Sequence, residues 1–321
     1  MKSDTPISFK ERWTQMIRRK NVSVILILVV LSLILTITTD NFLTQKNIFS
    51  VMRAFSYIAV IAIGECFVII SAGVDLSVGS VFGFVGLCTA FMIQNLGFDP
   101  ALAILLGIII GTAVGSLNGL LITALKIPPF IATLGMLSVT RGLAYALTTG
   151  YPIRTPTNFN TIGQGYLWVV PLPVVYMLVA VAIFTFVLEK TVFGRRVFAI
   201  GGNEEAAAIS GVNVKRIKLL VYSLSGMLAG LSGIITTARL GVAQSTSGVG
   251  YELDVIAAVI IGGASLTGGK GTVVGAMLGA AIMGVLRNGL ILLNVSPYWQ
   301  QTVIGIVILA AIAGDQLSKR E

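Results

Sequence analysis

The longest polar interruption of this chain reads Phe193-Gly-Arg-Arg-Val-Phe-Ala-Ile-Gly-Gly-Asn-Glu-Glu-Ala-Ala-Ala-Ile-Ser-Gly-Val-Asn-Val-Lys-Arg-Ile-Lys218. Asn203 is a favoured helix N-cap, Glu204 and Glu205 suit the positive end of a helix, and Gly211 suits its end. The stretch predicts a short capped helix over 204–210, about 10 Å long, which needs another surface to pack against. A solvated loop is the alternative, and the ordered capping pattern argues against it.

The chain around this interruption is strongly apolar. Its 321 residues are 55% hydrophobic and only 11% charged, with a mean hydropathy of +0.93, whereas soluble domains carry about a quarter charged residues. The pattern predicts an all-α polytopic membrane protein with one transmembrane domain over residues 1–321. About ten segments are long enough to cross the hydrocarbon, although a count differing by one or two fits as well: 22–38, 54–71, 78–94, 101–124, 130–148, 171–188, 217–237, 252–267, 271–293 and 299–314.

The basic residues predict the orientation, because Lys and Arg accumulate on the cytoplasmic side of a membrane protein. With ten spans and both termini inside, the inner segments hold 16 Lys and Arg residues and the outer segments hold 4. This arrangement places the tail 1–21 and the loop 189–216 in the cytoplasm. The first apolar run is followed by no small-residue cleavage site, so we expect it to remain as the first span.

Several classes of function are nearly excluded by composition. The chain has no histidine, and its two cysteines, Cys66 and Cys88, lie in apolar runs, so metal clusters, catalytic triads and disulfides are hard to build. The net charge of +9 is explained by membrane orientation rather than by nucleic acid. Residues 263–272 resemble a phosphate loop, but Ala264 and Gly271 occupy the wrong positions, so a tight turn is expected. A membrane-embedded enzyme is the weakest alternative, and we expect no cofactor in this chain.

Two glycine ladders predict close helix packing. One lies in the fourth span and one in the ninth, with four-residue spacing that removes side chains from one helix face; a mobile or pore-lining seam is the alternative. The members are Gly107, Gly111, Gly115 and Gly119, then Gly271, Gly275 and Gly279.

Ten spans also divide into five and five, which would give an inverted repeat. Residues 74–77 and 251–254 occupy corresponding junctions in the two halves and are weakly alike.

Polar groups inside the spans should face a cavity, a partner or a helix end, because charges are costly in the bilayer. Asp75 either caps the third span or faces a polar cavity. Asn118 and Asn288 either join helices or offer hydrogen bonds to a polar molecule. The charged members of the set are Glu65, Asp75, Arg141, Asp254 and Arg287.

Four motifs carry a resemblance to a known family. They are Ala-Gly-Val-Asp-Leu-Ser-Val-Gly-Ser over 72–80, Ile-Pro-Pro-Phe-Ile-Ala-Thr-Leu-Gly-Met over 127–136, Ala-Ile-Gly-Gly-Asn-Glu-Glu-Ala-Ala over 199–207 with Ser-Gly-Val-Asn-Val over 210–214, and the stretch 250–271. In this order, over nearly the whole chain, they resemble the ribose-type ABC importer permeases of bacterial inner membranes. Glu65 departs from the family pattern, in which this position is usually uncharged.

The resemblance implies an architecture similar to the cobalamin importer permease, with two copies working as a pair. It implies a periplasmic or lipid-anchored sugar-binding protein that delivers a monosaccharide, ribose before allose, galactose, xylose, rhamnose or a furanosyl signalling molecule. It also implies a cytoplasmic ATP-binding subunit, which would hold ATP and Mg²⁺ and dock on Gly201, Gly202, Asn203, Glu204, Glu205, Ala207, Ser210 and Gly211. The candidates for the translocation route are Asp75, Asn118, Asp254 and Asn288.

A secondary transporter or channel that works without an ATPase is the alternative from another class. Such proteins place ion-coupling or filter groups at mid-membrane, and Glu65, Asp75 and Arg287 keep this reading open.

Overall fold

The computed structural model describes residues 22–318, so the predicted tail 1–21 and the C-terminal Lys319 and Arg320 lie outside the described residues. Within that range the chain is all-α, as predicted, with four two-residue strands. The helices are α1 Val22–Thr38, α2 Gln45–Ile70, α3 Val78–Gln94, α4 Pro100–Thr123, α5 Pro129–Thr148, α6 Thr157–Gln164, α7 Leu172–Lys190, α8 Val192–Gly202, α9 Glu204–Ile209, α10 Val214–Leu240, α11 Tyr251–Ile261, α12 Val273–Leu292 and α13 Pro297–Ser318. The strands are β1 Ile153–Arg154, β2 Tyr166–Leu167, β3 Val170–Pro171 and β4 Val242–Ala243.

Six helices of the described chain, α2, α4, α5, α7, α10 and α12, are long and apolar enough to cross a membrane, and α1 and α3 are shorter apolar helices. Each predicted span falls on a helix, but two boundaries differ from the prediction by more than four residues. Helix α2 begins nine residues before the predicted 54, because Thr44 caps it by accepting from the Asn47 amide. Helix α11 ends at Ile261 instead of 267, because Gly263 has a φ of +90° and the chain turns there.

The centre of the fold is α2, which packs against α7, α10, α11 and α12. Every residue of α2 from Ile58 to Ile70 is buried. Helices α1, α4, α5 and α7 leave apolar side chains exposed, among them Leu33, Ile109 and Phe186. Exposed apolar faces of this extent suit contact with lipid tails, so these helices form the periphery.

The glycine ladder of α4 packs against α10, as predicted. A Cβ at Gly111 would lie 2.6 Å from the carbonyl oxygen of Gly226, and one at Gly115 would overlap the carbonyl oxygen of Tyr222. Such contacts bring two helix backbones together without side chains between them.

The second ladder is confirmed in part. Gly275 and Gly279 lie in α12 and pack on the backbone of α11, at Gly262 and Ala258. Gly271 was wrongly placed in the ninth span, because α12 begins only at Val273.

The helix ends meet in two groups that agree with the predicted alternation of the spans. At one end, β1 in the loop 149–170, which the predicted orientation of the spans places outside, pairs antiparallel with β4 after α10, with Ile153 opposite Ala243. At the other end, the Gly269 amide donates to the Ile70 carbonyl at 2.9 Å. The end of α2 and the turn 262–272 are therefore on one side, and the loop 149–170 is on the other.

Candidate functional site

The predicted capped helix forms as α9, one residue shorter than expected. The Asn203 side chain accepts a hydrogen bond from the Ala206 amide at 2.9 Å, which confirms the N-cap. The chain leaves the helix through Gly211, whose φ of +84° is a conformation that favours glycine. Both signals are local in sequence, so both could be predicted.

Helix α9 has one packed face and one exposed face. Ala207 is buried, and Glu204 forms an ion pair of 2.5 Å with Lys218 of α10. Ile209 is 88% exposed, and Glu205 and Ser210 are also exposed. The exposed face therefore combines one large apolar side chain with polar ones.

The two glycines before α9 have different surroundings. A Cβ at Gly201 would overlap the Ile70 carbonyl oxygen and lie 2.5 Å from the Gly269 nitrogen, whereas a Cβ at Gly202 would have nothing within 4 Å. Helix α8 therefore rests through Gly201 on the end of α2 and on the turn 262–272. We call α8 and α9 together, residues 192–209, the docking unit.

A cavity of about 480 Å³ lies beside the docking unit. It is open, and it is bounded by the α4–α5 turn, α9 and the start of α10. Its polar rim has both signs of charge, with Lys126, Glu204, Glu205, Lys215 and Lys218.

Asp75 and Asn118, two of the predicted route residues, belong to one buried network. Asp75 accepts from the Ser77 amide at 3.0 Å, from the Ser77 hydroxyl at 2.6 Å and from the Ser225 hydroxyl at 2.9 Å. The Asn118 amide donates to the Ser77 hydroxyl at 2.9 Å, and Glu65 accepts from the Asp75 amide at 3.1 Å. The Asp75 carboxylate accepts from Ser77, the residue before α3, and not from the amides in the first turn of α3. Helix capping alone therefore does not explain the aspartate at this position.

Asp254 and Asn288, the other two, lie at the contact of α12 with α11 and α2. Asp254 is buried and forms an ion pair with Arg287. Asn288 exchanges amide hydrogen bonds with Asn47, at 2.8 and 3.0 Å. A cavity of about 200 Å³ adjoins them, with Ser50, Tyr57, Arg287 and Asn288 as its polar lining. The four predicted route residues thus form two separate groups.

Comparison with known proteins assigns the chain to a family. Residues 47–312 match the family described as branched-chain amino acid transport system / permease component. The chain belongs to this family of permeases. It is 48% identical to the ribose import permease of Bacillus subtilis over 90% of both chains, and 42% identical to that of Haemophilus influenzae over 90% of both. It is 37% identical to the D-allose transport system permease of Escherichia coli over 88% of this chain and 87% of the relative. No solved structure matches the chain.

The permease is thus a multi-pass membrane protein of a bacterial ABC transport system, and it is not the catalytic subunit. The resemblance predicted from the four motifs is confirmed.

Sequence reasoning missed the partners that give the permease its intramembrane network. From the sequence, Arg287 could either extend to the membrane surface or pair with a carboxylate, and no residue pattern singled out Asp254, its partner in the structure. Ser225 carried no signal at all, since it lies 150 residues from Asp75. Among residues 22–318, Arg141 donates to the backbone carbonyls of Ser245 and Ser247 and not to a carboxylate.

Proposed function

We propose that this permease is the membrane subunit of an ATP-driven monosaccharide importer of the bacterial cytoplasmic membrane, with ribose as the first candidate. The observation that carries the proposal is the similarity to three ribose import permeases at 42–48% identity over about nine-tenths of the chain. Relatives named for D-allose and L-arabinose follow at 37% and 36% identity. A small neutral sugar is the substrate class common to all of them.

The proposal includes the finer architecture. The protein has about ten spans with both termini in the cytoplasm, arranged as an inverted five-plus-five repeat similar to the cobalamin importer permease, and it works as a pair of copies in one transmembrane domain. A periplasmic or lipid-anchored binding protein delivers the sugar at the side of the loop 149–170.

The docking unit receives the ATP-binding subunit. Three observations support this role: the capped helix α9, its exposed Ile209, and the seat of Gly201 on Ile70. The partner subunit holds ATP and Mg²⁺, and the permease supplies the surface that moves. The docking residues are Gly201, Gly202, Asn203, Glu204, Glu205, Ala207, Ser210 and Gly211.

Nucleotide-driven closure of the partner moves the docking unit and shifts the permease between two access states, as a population shift requires. Asp254 and Asn288 contribute to the route from the cavity near Tyr57. Asp75 and Asn118 are buried, so they contribute only when α2, α3, α4 and α10 separate.

Reconstituted vesicles with the ATP-binding subunit and the binding protein test the function. We expect uptake of labelled ribose that requires ATP, with a panel of pentoses and hexoses to rank the substrates. Uptake that continues without the ATP-binding subunit would refute the proposal and favour a secondary transporter or channel.

Two variants test the docking unit and the route. Glu204→Lys should lower uptake and release the ATP-binding subunit while membrane insertion stays intact. Asp75→Ala should lower uptake more than it lowers the amount of folded protein. External labelling of a cysteine placed at Glu205 would contradict a cytoplasmic docking surface.

A further inference from the structure

The segment between α10 and α11, residues 241–250, crosses part of the membrane without being helical. Helix α10 ends at Leu240, Gly241 has a φ of +70°, and α11 begins at Tyr251. Helix α11 has 11 residues and is about 16 Å long, roughly half of the 30 Å of hydrocarbon. The segment 241–250 therefore completes this crossing.

The depth of the segment follows from its contacts with α3. Helices α3 and α10 run in the same direction: a Cβ at Gly233 would lie 2.9 Å from the carbonyl carbon of Phe82, and one at Gly86 would overlap the Thr237 hydroxyl. Gly248 packs on Gly79, about one turn earlier in α3. Gly233 lies seven residues before the end of α10 at Leu240, and Gly79 lies about one turn further along the same direction. At 1.5 Å per residue, Gly248 is therefore about 15 Å from the level at which α10 ends. That is near the middle of the membrane.

Arg141 of α5 holds the segment in place. One guanidinium nitrogen donates to the Ser245 carbonyl at 2.8 Å and to the Ser247 carbonyl at 2.7 Å. It passes Gly83 of α3, where a Cβ would lie 3.4 Å from that nitrogen and would overlap the Ser247 oxygen. A backbone carbonyl without a hydrogen-bond donor is costly at membrane depth. Arg141 supplies the donor that backbone amides would supply in a helix.

The segment has a buried face and an exposed face. Ser245 and Gly248 are buried, Gly248 against Gly79 of α3, whereas Gln244, Thr246 and Val249 are exposed. Irregular backbone at this depth occurs only where it is covered by protein or lines a water-filled cavity, because lipid cannot solvate it. An amide and a hydroxyl facing lipid would also be unfavourable.

We infer that the exposed face of segment 241–250 lines the sugar route, with the Gln244 amide and the Thr246 hydroxyl as its hydrogen-bonding groups and Arg141 as the positioning residue. This inference rests on the proposed import function and names its substrate contacts. Both side chains donate and accept, as sugar hydroxyls do. Neither is charged, so they bind a neutral sugar loosely enough to release it.

Cysteine labelling tests whether the exposed face of segment 241–250 is accessible to water. In a Cys66→Ala/Cys88→Ala background, Thr246→Cys is compared with Ile109→Cys, using a charged, membrane-impermeant methanethiosulfonate on the reconstituted complex. Ile109 is an exposed apolar residue of α4 at similar depth, two residues from Gly111, which packs on Gly226 and Gly230.

We expect Thr246→Cys to react at least about tenfold faster, because the thiolate forms in water and not in hydrocarbon. Equal rates overturn the inference. An intermolecular disulfide at Thr246→Cys without labelling also overturns it, since the face is then a dry contact between copies.

Transport kinetics test the contact with sugar. Thr246→Val should raise the KM for ribose by about threefold to tenfold, the effect of one neutral hydrogen bond, and Thr246→Ser should restore it. Adding Arg141→Met should lower the difference in labelling rate between Thr246→Cys and Ile109→Cys, because the segment is then no longer held in place.

The two proposals fail separately. If wild-type uptake depends on ATP but Thr246→Val transports with an unchanged KM, the inference is wrong and the import function stands. If wild-type vesicles show no ATP-driven sugar uptake, the function itself is wrong, whatever the labelling shows.

Discussion

Replacing Gly201 by alanine tests whether the docking unit is seated on α2. The new Cβ would lie 2.5 Å from the Gly269 nitrogen and 2.8 Å from the carbonyl carbon of Ile70, whereas ordinary contacts are 3.4–4 Å. The docking unit must therefore move by about 1 Å or more, which strains or breaks the 2.9 Å bond from the Gly269 amide to the Ile70 carbonyl. Overpacking costs about 1–3 kcal/mol, and a buried unpaired amide or carbonyl costs about 1–3 kcal/mol.

Alanine returns about 1 kcal/mol of helix propensity, so the expected net loss is about 1–5 kcal/mol. Gly202→Ala is the matched control, because its Cβ would have nothing within 4 Å. We expect Gly201→Ala to lower both the unfolding midpoint of the purified permease in a denaturing detergent titration and the ATP-driven uptake of ribose. Gly202→Ala should leave the midpoint unchanged or raise it slightly. Equal midpoints for the two variants would refute the packing of the docking unit on α2.

Three further predictions concern the cap, the ion pair and the glycine ladder. Asn203→Ala removes the N-cap and should cost about 1 kcal/mol of helix stability, seen as faster amide exchange in α9 and weaker retention of the ATP-binding subunit; unchanged exchange would contradict this. Arg287→Met leaves Asp254 buried without its partner and should destabilise the permease by about 3–5 kcal/mol, whereas adding Asp254→Asn should recover much of the loss in the same detergent titration. Gly115→Ala should destabilise the α4–α10 contact by about 1–3 kcal/mol, while Gly135→Ala in α5, which meets nothing within 4 Å, serves as the control that should not.

The features that could be predicted from the sequence are those that neighbouring residues determine. The cap of α9 and the close packing of the α4 ladder follow from spacings of three and four residues. The spans follow from apolar runs of about 20 residues. These signals do not depend on the rest of the fold.

The partners of the buried polar groups could not be predicted, because they are distant in sequence. Asn118 donates to Ser77, 41 residues away, and Arg141 donates to carbonyls more than 100 residues away. Backbone carbonyls leave no signature in the residue type that carries them. The segment 241–250 lies between the predicted spans 217–237 and 252–267, and only its packing on Gly79 and Gly83 shows its depth.

Helix α2 is unbroken over 26 residues, about 39 Å. Near one end Ser50 lines the small cavity, and at the other end the Ile70 carbonyl accepts from the Gly269 amide beneath Gly201. A helix shortens very little under an axial load, so a displacement applied at Ile70 is passed on almost undiminished to Ser50 near the other end. A movement of the docking unit can thus be transmitted to the far side of the membrane through one rigid helix.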